Sequence, residues 1–99
     1  MAYEVIFSDE IFEKLNSIIY YLENNWSKKV AETFLKTFYS RINNIAYNPK
    51  AGMQTKKNPN IRKFIITKHN TLYYEIFEDK IELLTIFFNA QNPDKNKFE

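Results

Sequence analysis

The chain has 99 residues, a formal net charge of +2 and a sequence pI near 8.8, so it is one domain that tolerates an anionic partner without requiring one. The lack of cysteine excludes a disulfide framework, a thiol nucleophile and cysteine-ligated zinc. There is no metal-ligand spacing, no glycine-rich phosphate loop, no signal-peptide pattern and no apolar run near the ~20 residues of a membrane span. We therefore expect a cytoplasmic protein with no metal, cofactor or membrane partner.

The first predicted elements are a short strand and a long amphipathic helix. The strand covers residues 3–7, where apolar and polar side chains partly alternate. Ser8 offers an N-cap to a helix that runs from about Asp9 to Asn24. The apolar stripe of this helix comprises Ile11, Leu15, Ile18, Ile19 and Leu22.

A second amphipathic helix is predicted from about Lys28 to Tyr47, with Ser27 as its N-cap and Pro49 as its end. The short connection between two long helices predicts an antiparallel hairpin. We expect the ring of Trp26 to plug the turn of this hairpin. The apolar stripe of the second helix comprises Val30 or Ala31, then Phe34, Leu35, Phe38, Ile42 and Ile45.

A loop over residues 50–60 follows, and its single glycine, Gly52, is expected to have a positive φ. Strands are then predicted at Ile61–Thr67, Thr71–Phe77 and Lys80–Phe88, joined by turns of hairpin length. The last strand is apolar on both faces, which is typical of a strand with neighbours on both sides. The predicted fold is one α+β domain over residues 1–99, with an N-terminal strand and an antiparallel helical hairpin on a small antiparallel sheet.

Basic residues are concentrated in one segment that contains no acidic residue, comprising Lys50, Lys56, Lys57, Arg62, Lys63 and Lys68. A solvated loop and strand edge explains such a segment, and a phosphate-attracting patch is the functional alternative. The only histidine, His69, falls in a predicted turn, where a solvated surface role is more common than catalysis. No catalytic triad is available, so the residues alone indicate a small α+β domain able to bind an anion.

The order of these elements and of several short motifs resembles the RelE/ParE superfamily of toxins from type II toxin–antitoxin, or plasmid stabilisation, systems. Pro49 and Gly52 follow the helical hairpin, and Arg62 opens the next strand, as is common in these toxins. The tyrosine-rich strand contains Tyr74-Glu75-Ile76, and the end of the domain contains Gln91-Asn92-Pro93. The resemblance covers almost the whole chain.

The resemblance implies a growth-inhibiting toxin with a cognate antitoxin, together forming a hetero-oligomer. The first expected activity is ribosome-dependent cleavage of messenger RNA, as in mRNA interferases, without a metal. Under this hypothesis Arg62 clamps the phosphate, because a guanidinium binds oxyanions through two parallel hydrogen bonds. Lys56, Lys57 and Lys63 supply auxiliary cations.

An alternative role for Arg62 is structural, as a salt bridge to Glu75 or Glu82. One position departs from the family pattern, since Ala90 occupies the position of the family's active-site arginine. The loss of one such cation is on the scale of ~3–4 kcal/mol of transition-state stabilisation. Three explanations stand: the activity is lost or moved, the target differs, or the alanine was introduced so that a toxic protein could be produced.

Two other functions are therefore open. One is inhibition of DNA gyrase without hydrolysis, as in ParE-like toxins. The other is a degenerate toxin that acts only as an antitoxin-binding module. The ribosome with its messenger RNA, or DNA gyrase, is the expected target.

Several aromatic residues fall outside both helical stripes and favour a partner-binding surface. The predicted partner-binding residues are Tyr20, Tyr21, Phe87 and Phe88. We expect an antitoxin segment to wrap the domain, with an acidic stretch near Arg62 and the lysines that masks the phosphate site by charge.

Overall fold

The computed structural model describes residues 2–88 and residue 98. The helices are α1 (Asp9–Asn25) and α2 (Lys28–Tyr47), followed by a short 3-10 helix (Pro49–Ala51). The strands are β1 (Glu4–Phe7), β2 (Met53–Gln54), β3 (Ile61–Thr67), β4 (Asn70–Ile76) and β5 (Lys80–Phe88). They form a five-stranded sheet in the order β1-β5-β4-β3-β2, and the helical hairpin packs on one face of it. The predicted α+β class is confirmed.

Both helices begin at the serines that the sequence predicts. The Oγ of Ser8 accepts a hydrogen bond from the amide of Ile11 at 3.2 Å and donates one to the carbonyl of Leu84 at 3.0 Å. The Oγ of Ser27 accepts one from the amide of Val30 at 3.1 Å. Each cap satisfies a backbone donor that the first helical turn leaves unpaired. The cap of α1 also ties that helix to the neighbouring strand.

The sheet is mixed, since β1 runs parallel to β5 while the other neighbouring strands are antiparallel. Strand β5 lies between β1 and β4, so the strand that is apolar on both faces has neighbours on both sides, as predicted. Strand β2 occupies part of the segment predicted as loop, with Met53 opposite Lys63 and Gln54 opposite Arg62. Its two residues are too few to show any periodicity in the sequence.

The hydrophobic core lies between the hairpin and the sheet. Leu72 and Tyr74 on β4 face the helices, so Tyr73 between them faces away. The fully buried residues of this core are Ile11, Phe38, Ile45, Ile66, Leu72, Tyr74, Ile81 and Leu83. Both predicted stripes point into the core, and Ala31, which is 3% exposed, belongs to it rather than Val30, which is 40% exposed.

The predicted role of Trp26 is wrong, because its side chain is 70% exposed. The hairpin turn closes through the backbone instead. The amides of Trp26 and Ser27 both donate to the carbonyl of Leu22, at 2.9 and 3.1 Å. These bonds and the Ser27 cap fix the turn without a covering ring.

The predicted positive φ of Gly52 is also wrong, since its φ is −74°. The glycine is required by lack of space. A Cβ at this position would lie 2.5 Å from the hydroxyl of Tyr74 and 2.8 Å from the carbonyl oxygen of Lys63. This contact joins segments that are distant in sequence, so no local turn pattern predicts it.

Tyr74 anchors this close approach. Its hydroxyl donates to the carbonyl of Pro49 at 2.5 Å and accepts from the amide of Gly52 at 3.0 Å. Burial raises the pKa of the Tyr74 hydroxyl, while the Gly52 hydrogen bond and the charge of Arg62 act in the opposite direction. The neutral hydroxyl therefore fastens the segment 49–52 to the centre of the sheet.

This packing predicts a coupled effect of two substitutions. Gly52→Ala should lower the free energy of unfolding by about 1–3 kcal/mol through overpacking. Tyr74→Phe should also cost about 1–3 kcal/mol, because it leaves buried backbone groups unpaired. Since phenylalanine removes the oxygen that a Cβ would meet, the double variant should lose less than the sum of the single variants in urea unfolding. Strict additivity would contradict the contact, and the exposed Ala51→Ser is the control.

The raised pKa of Tyr74 predicts a loss of stability in alkali. Between the unfolded value near ~10 and the raised folded value, the unfolded state binds fewer protons than the folded state, so stability falls as pH rises. The free energy of unfolding, measured by urea titration between pH 8 and pH 11, should decline more steeply in the parent protein than in Tyr74→Phe. Equal slopes would show that Tyr74 does not titrate differently on folding.

Candidate functional site

Arg62 lies near the start of β3, on the face of the sheet that carries the helices, in register with Tyr74. Its Nη1 donates to the carbonyl of Gly52 at 2.6 Å and, over a longer distance of 3.3 Å, to the carbonyl of Lys50. Its Nε is buried and has no hydrogen-bond partner within the described residues. The guanidinium thus holds the segment 50–52 and keeps donor capacity for a further acceptor.

The alternative structural role of Arg62, a salt bridge to Glu75 or Glu82, is wrong. Glu75 is in register with Ile61, the neighbour of Arg62, so the two side chains lie on opposite faces of the sheet. Glu82 is in turn the cross-strand partner of Glu75. Like charges directly opposite each other are mildly destabilising, and both carboxylates are half-buried on the outer face.

The other predicted cations surround the same end of β3 without converging. Lys63 is in register with Tyr73 and therefore lies on the face opposite to Arg62. Lys56 and Lys57 are exposed in the loop between β2 and β3. The side chain of Thr55 closes that loop by donating to the carbonyl of Asn58 at 2.8 Å. Ala90 and the Gln91-Asn92-Pro93 motif lie outside the described residues.

A second feature is an apolar groove of about 900 Å³ between the turn end of the hairpin and one end of the sheet. The residues that line it are Lys14, Ser17, Ile18, Tyr21, Leu22, Trp26, Val30, Thr33, Phe34, Thr37, Thr67, His69, Asn70, Ile86 and Phe88. The lining contains no carboxylate among the residues that the structure describes. The ring of His69 stacks on Phe88 at its rim, with centroids 6.5 Å apart.

The groove brings together part of the predicted partner-binding set. Tyr21 and Phe88 line it. The other two residues of the set do not line it. Tyr20 is 71% exposed on α1, and Phe87 is in register with Thr71 on the outer face of the sheet. The apolar stripes were the available signal for the groove. The sequence does not predict how far the sheet extends beneath the helices, and this extent determines where the groove forms.

Two solved structures share this fold. The chromosomal ParDE TA system from P. aeruginosa contains a chain that matches with a TM-score of 0.74 and 10% identity over 88% of this chain and 96% of that chain. The YoeB dimer from Staphylococcus aureus matches with a TM-score of 0.62 and 15% identity over 89% of this chain and 98% of that chain. No curated protein shows significant sequence similarity. No helix within residues 2–88 is long and apolar enough to cross a membrane.

The family model described as the ParE toxin of the parDE type II toxin–antitoxin system matches residues 5–93. That span includes both helices and almost the whole of the described sheet. The match agrees with the fold of the two solved structures and confirms the resemblance drawn from the motifs. The chain belongs to the ParE toxin family and is the toxin component of a type II toxin–antitoxin module.

Proposed function

We propose that this toxin inhibits growth by binding DNA gyrase, without cleaving RNA. The observation that carries the proposal is the placement of Arg62 and Lys63 on opposite faces of the sheet. The match to the ParE family over residues 5–93 supports the same choice. Gyrase is therefore the first candidate target, although the sequence alone favoured cleavage of RNA on the ribosome.

Cleavage of RNA by cations alone needs several positive groups around one phosphate, because their combined charge stabilises the transition state. Here the Nη1 of Arg62 is bound to backbone carbonyls, and Lys63 faces the other way. A toxin that only binds its target has no such requirement. Cations spread over two faces and a loop enlarge the surface that attracts an acidic target.

Arg62 contributes to this surface as a positioning residue. Through Nη1 it fixes the carbonyls of Lys50 and Gly52, while Tyr74 fixes the amide of Gly52. The exposed Lys50 side chain is therefore presented from a fixed backbone. Lys56 and Lys57 extend the same basic region from the adjoining loop.

Ribosome-dependent RNA cleavage is the second candidate. It is favoured by the absence of any acidic residue between Lys50 and Lys68, which leaves a segment able to attract phosphate groups. Lys56, Lys57 and Lys63 would assist Arg62 under this mechanism. Ala90 would weaken it, since a family arginine is replaced there.

The partner implied by membership of a toxin–antitoxin module is a cognate antitoxin. We propose that the two proteins form a hetero-oligomer in the cytoplasm. An acidic antitoxin stretch over the lysines would weaken binding with added salt, because exposed charges are screened beyond about 10 Å at 0.1 M ionic strength. A degenerate toxin that binds only the antitoxin would show this binding without any growth arrest.

A gyrase supercoiling assay separates the two mechanisms. The purified toxin and its Ala90→Arg variant should both inhibit supercoiling, while transcripts on translating ribosomes stay intact. Cleaved transcripts together with unaffected supercoiling would contradict the gyrase proposal and support the second candidate. A toxin inert in both assays would leave only antitoxin binding as its activity.

Charge reversal in the loop tests the basic surface. Lys56→Glu combined with Lys57→Glu should weaken gyrase inhibition by about tenfold or more, equivalent to ~1.4 kcal/mol of binding free energy. The matched control is Lys36→Glu, because Lys36 is an exposed lysine of α2 outside the basic segment. If both variants inhibit gyrase as well as the parent toxin, the loop lysines take no part in target binding.

A further inference from the structure

We propose that the free edge of β1 binds an extended segment of a partner protein, in which apolar residues alternate with lysine or arginine. The bound segment adds a strand to the sheet at the edge opposite to β2 and Arg62. The inference does not rest on the proposed gyrase target, and it concerns neither the basic segment nor the groove.

The backbone of β1 presents hydrogen-bonding groups on a side that no other strand covers. The amide of Glu4 donates to the carbonyl of Asp79, next to β5, at 3.3 Å. Because alternate residues of a strand direct their N–H and C=O groups to opposite sides, Val5 and Phe7 direct theirs away from β5. Within the described residues β1 is the last strand on that side of the sheet, so these groups form an open edge.

The opposite edge of the sheet has features that hinder strand addition. Strand β2 has only two residues, and a bulge interrupts the pairing of β3 with β4 between Ile65 and Thr67. Lys63 and Lys68 flank that stretch. Short strands, bulges and lysines are the usual means by which a sheet edge avoids pairing with another chain. Residues 4–7 contain no lysine or proline and pair with β5 in an unbroken register, so the edge of β1 is suited to accept a strand.

An exposed aromatic ring lies beside β1 on the helix face of the sheet. Phe12 of α1 stacks on Phe7 with ring centroids 5.3 Å apart, and Phe7 meets the buried ring of Phe38 at 6.4 Å. Phe12 remains 52% exposed, although its two neighbours pack in or against the core. An apolar side chain on an added strand would cover this ring and extend the core.

Carboxylates surround the same edge. Residues 2–13 contain no lysine or arginine and four exposed carboxylates, which are Glu4, Asp9, Glu10 and Glu13. Asp9 and Glu10 also stabilise the first turn of α1 through the helix dipole, whereas Glu4 lies on the strand itself. Lys80 is in register with Glu4 on β5, but its Nζ lies over the ring of Phe77, 5.6 Å from the centroid. The charge at this edge therefore favours a basic partner.

The two faces of β1 specify the alternation of the bound segment. Val5 and Phe7 point to the core, so Glu4 and Ile6 point to the outer face. Side chains of the added strand that lie beside Val5 and Phe7 point to the helix face and should be apolar. Those beside Glu4 point outward, where a lysine or arginine faces its carboxylate.

The charge also distinguishes a partner protein from a second copy of the toxin. Two β1 edges paired with each other would bring the carboxylates of both copies together, and like charges across a strand pair are destabilising. The basic segment lies at the other edge, about 19 Å away across the five strands. A basic partner on β1 and an acidic target at the basic segment therefore occupy separate edges.

Hydrogen exchange with a synthetic peptide tests the inference. The probe is a capped seven-residue peptide in which lysine and valine alternate, added to the full isotope-labelled toxin chain. The amides of Val5 and Phe7 should exchange about tenfold more slowly or less at saturating peptide, because they gain hydrogen-bond acceptors. The amide of Ile65, on the basic edge, should be unaffected. A matched peptide with glutamate in place of lysine should protect none of these amides.

Matched variants test the charge and the aromatic contact. Glu4→Lys should raise the dissociation constant of the lysine peptide by about tenfold or more, and Glu23→Lys, an exposed glutamate later in α1, should change it by less than about twofold. Phe12→Ser should raise it by about threefold or more, and Tyr20→Ser should leave it unchanged. Circular dichroism checks that each variant is folded, and Glu4→Gln gives a milder substitution at the same position.

Three results would overturn the inference. The first is unchanged exchange of Val5 and Phe7 with the lysine peptide. The second is equal protection by the lysine and glutamate peptides, because charge would then select no partner. The third is a toxin dimer in sedimentation whose Val5 and Phe7 amides are protected without peptide, which would identify a second copy at the edge. The titration contains only toxin and peptide, so its result is independent of the cellular target.

Discussion

The packing of one helical hairpin on one face of the sheet is the constraint on which the rest of the structure depends. Ile11, Phe38 and Ile45 from the helices meet Leu72 and Leu83 from the sheet without exposed surface. Burial of each such side chain contributes about 1.5–3 kcal/mol relative to exposure. Because only one face of the sheet is covered by helices, every strand residue is committed to either the core or the outer face.

That division determines where the functional side chains can act. Alternation along β3 sends Arg62 toward the helices and Lys63 outward, and alternation along β4 does the same for Tyr74 and Tyr73. The inward pair, Arg62 and Tyr74, fastens the segment 49–52 to the sheet. A basic segment that looks continuous in sequence is thus distributed over two faces and a loop. This arrangement suits binding better than cation-driven cleavage.

The same constraint explains the groove. The helices have 17 and 20 residues, and their stripes continue to the turn of the hairpin, where the strands have already ended. Ile18 and Leu22 are apolar because they continue the stripe of α1, and they are only partly buried because the sheet does not extend beneath them.

Much of the fold could be predicted from local patterns. The periods of 3.6 and 2 locate both helices and four of the strands, and Ser8 and Ser27 mark the helix starts because their caps are local interactions. The errors concern contacts between distant segments. Gly52 is needed because Tyr74 and Lys63 approach it, and the exposure of Trp26 follows from a backbone closure that its residue type does not reveal.

In the candidate site, the motif in the sequence identifies Arg62. The face of the sheet on which Arg62 lies depends on the register between β3 and β4, and neither strand alone encodes that register. Tyr21 and Phe88 were recognised as aromatics outside the stripes. Tyr20 and Phe87 are also aromatic residues outside the stripes. Only the three-dimensional structure shows that Tyr20 and Phe87 do not line the groove.

Amide hydrogen exchange of the parent toxin and of its Tyr74→Phe variant tests most directly whether the inward face of the sheet holds the segment 49–52. The account predicts slow exchange of the Gly52 amide in the parent toxin, because this amide donates to the Tyr74 hydroxyl, and exchange about tenfold faster or more in the variant. Equal exchange rates of this amide in the two proteins would contradict the claim that Tyr74 fastens the segment to the sheet.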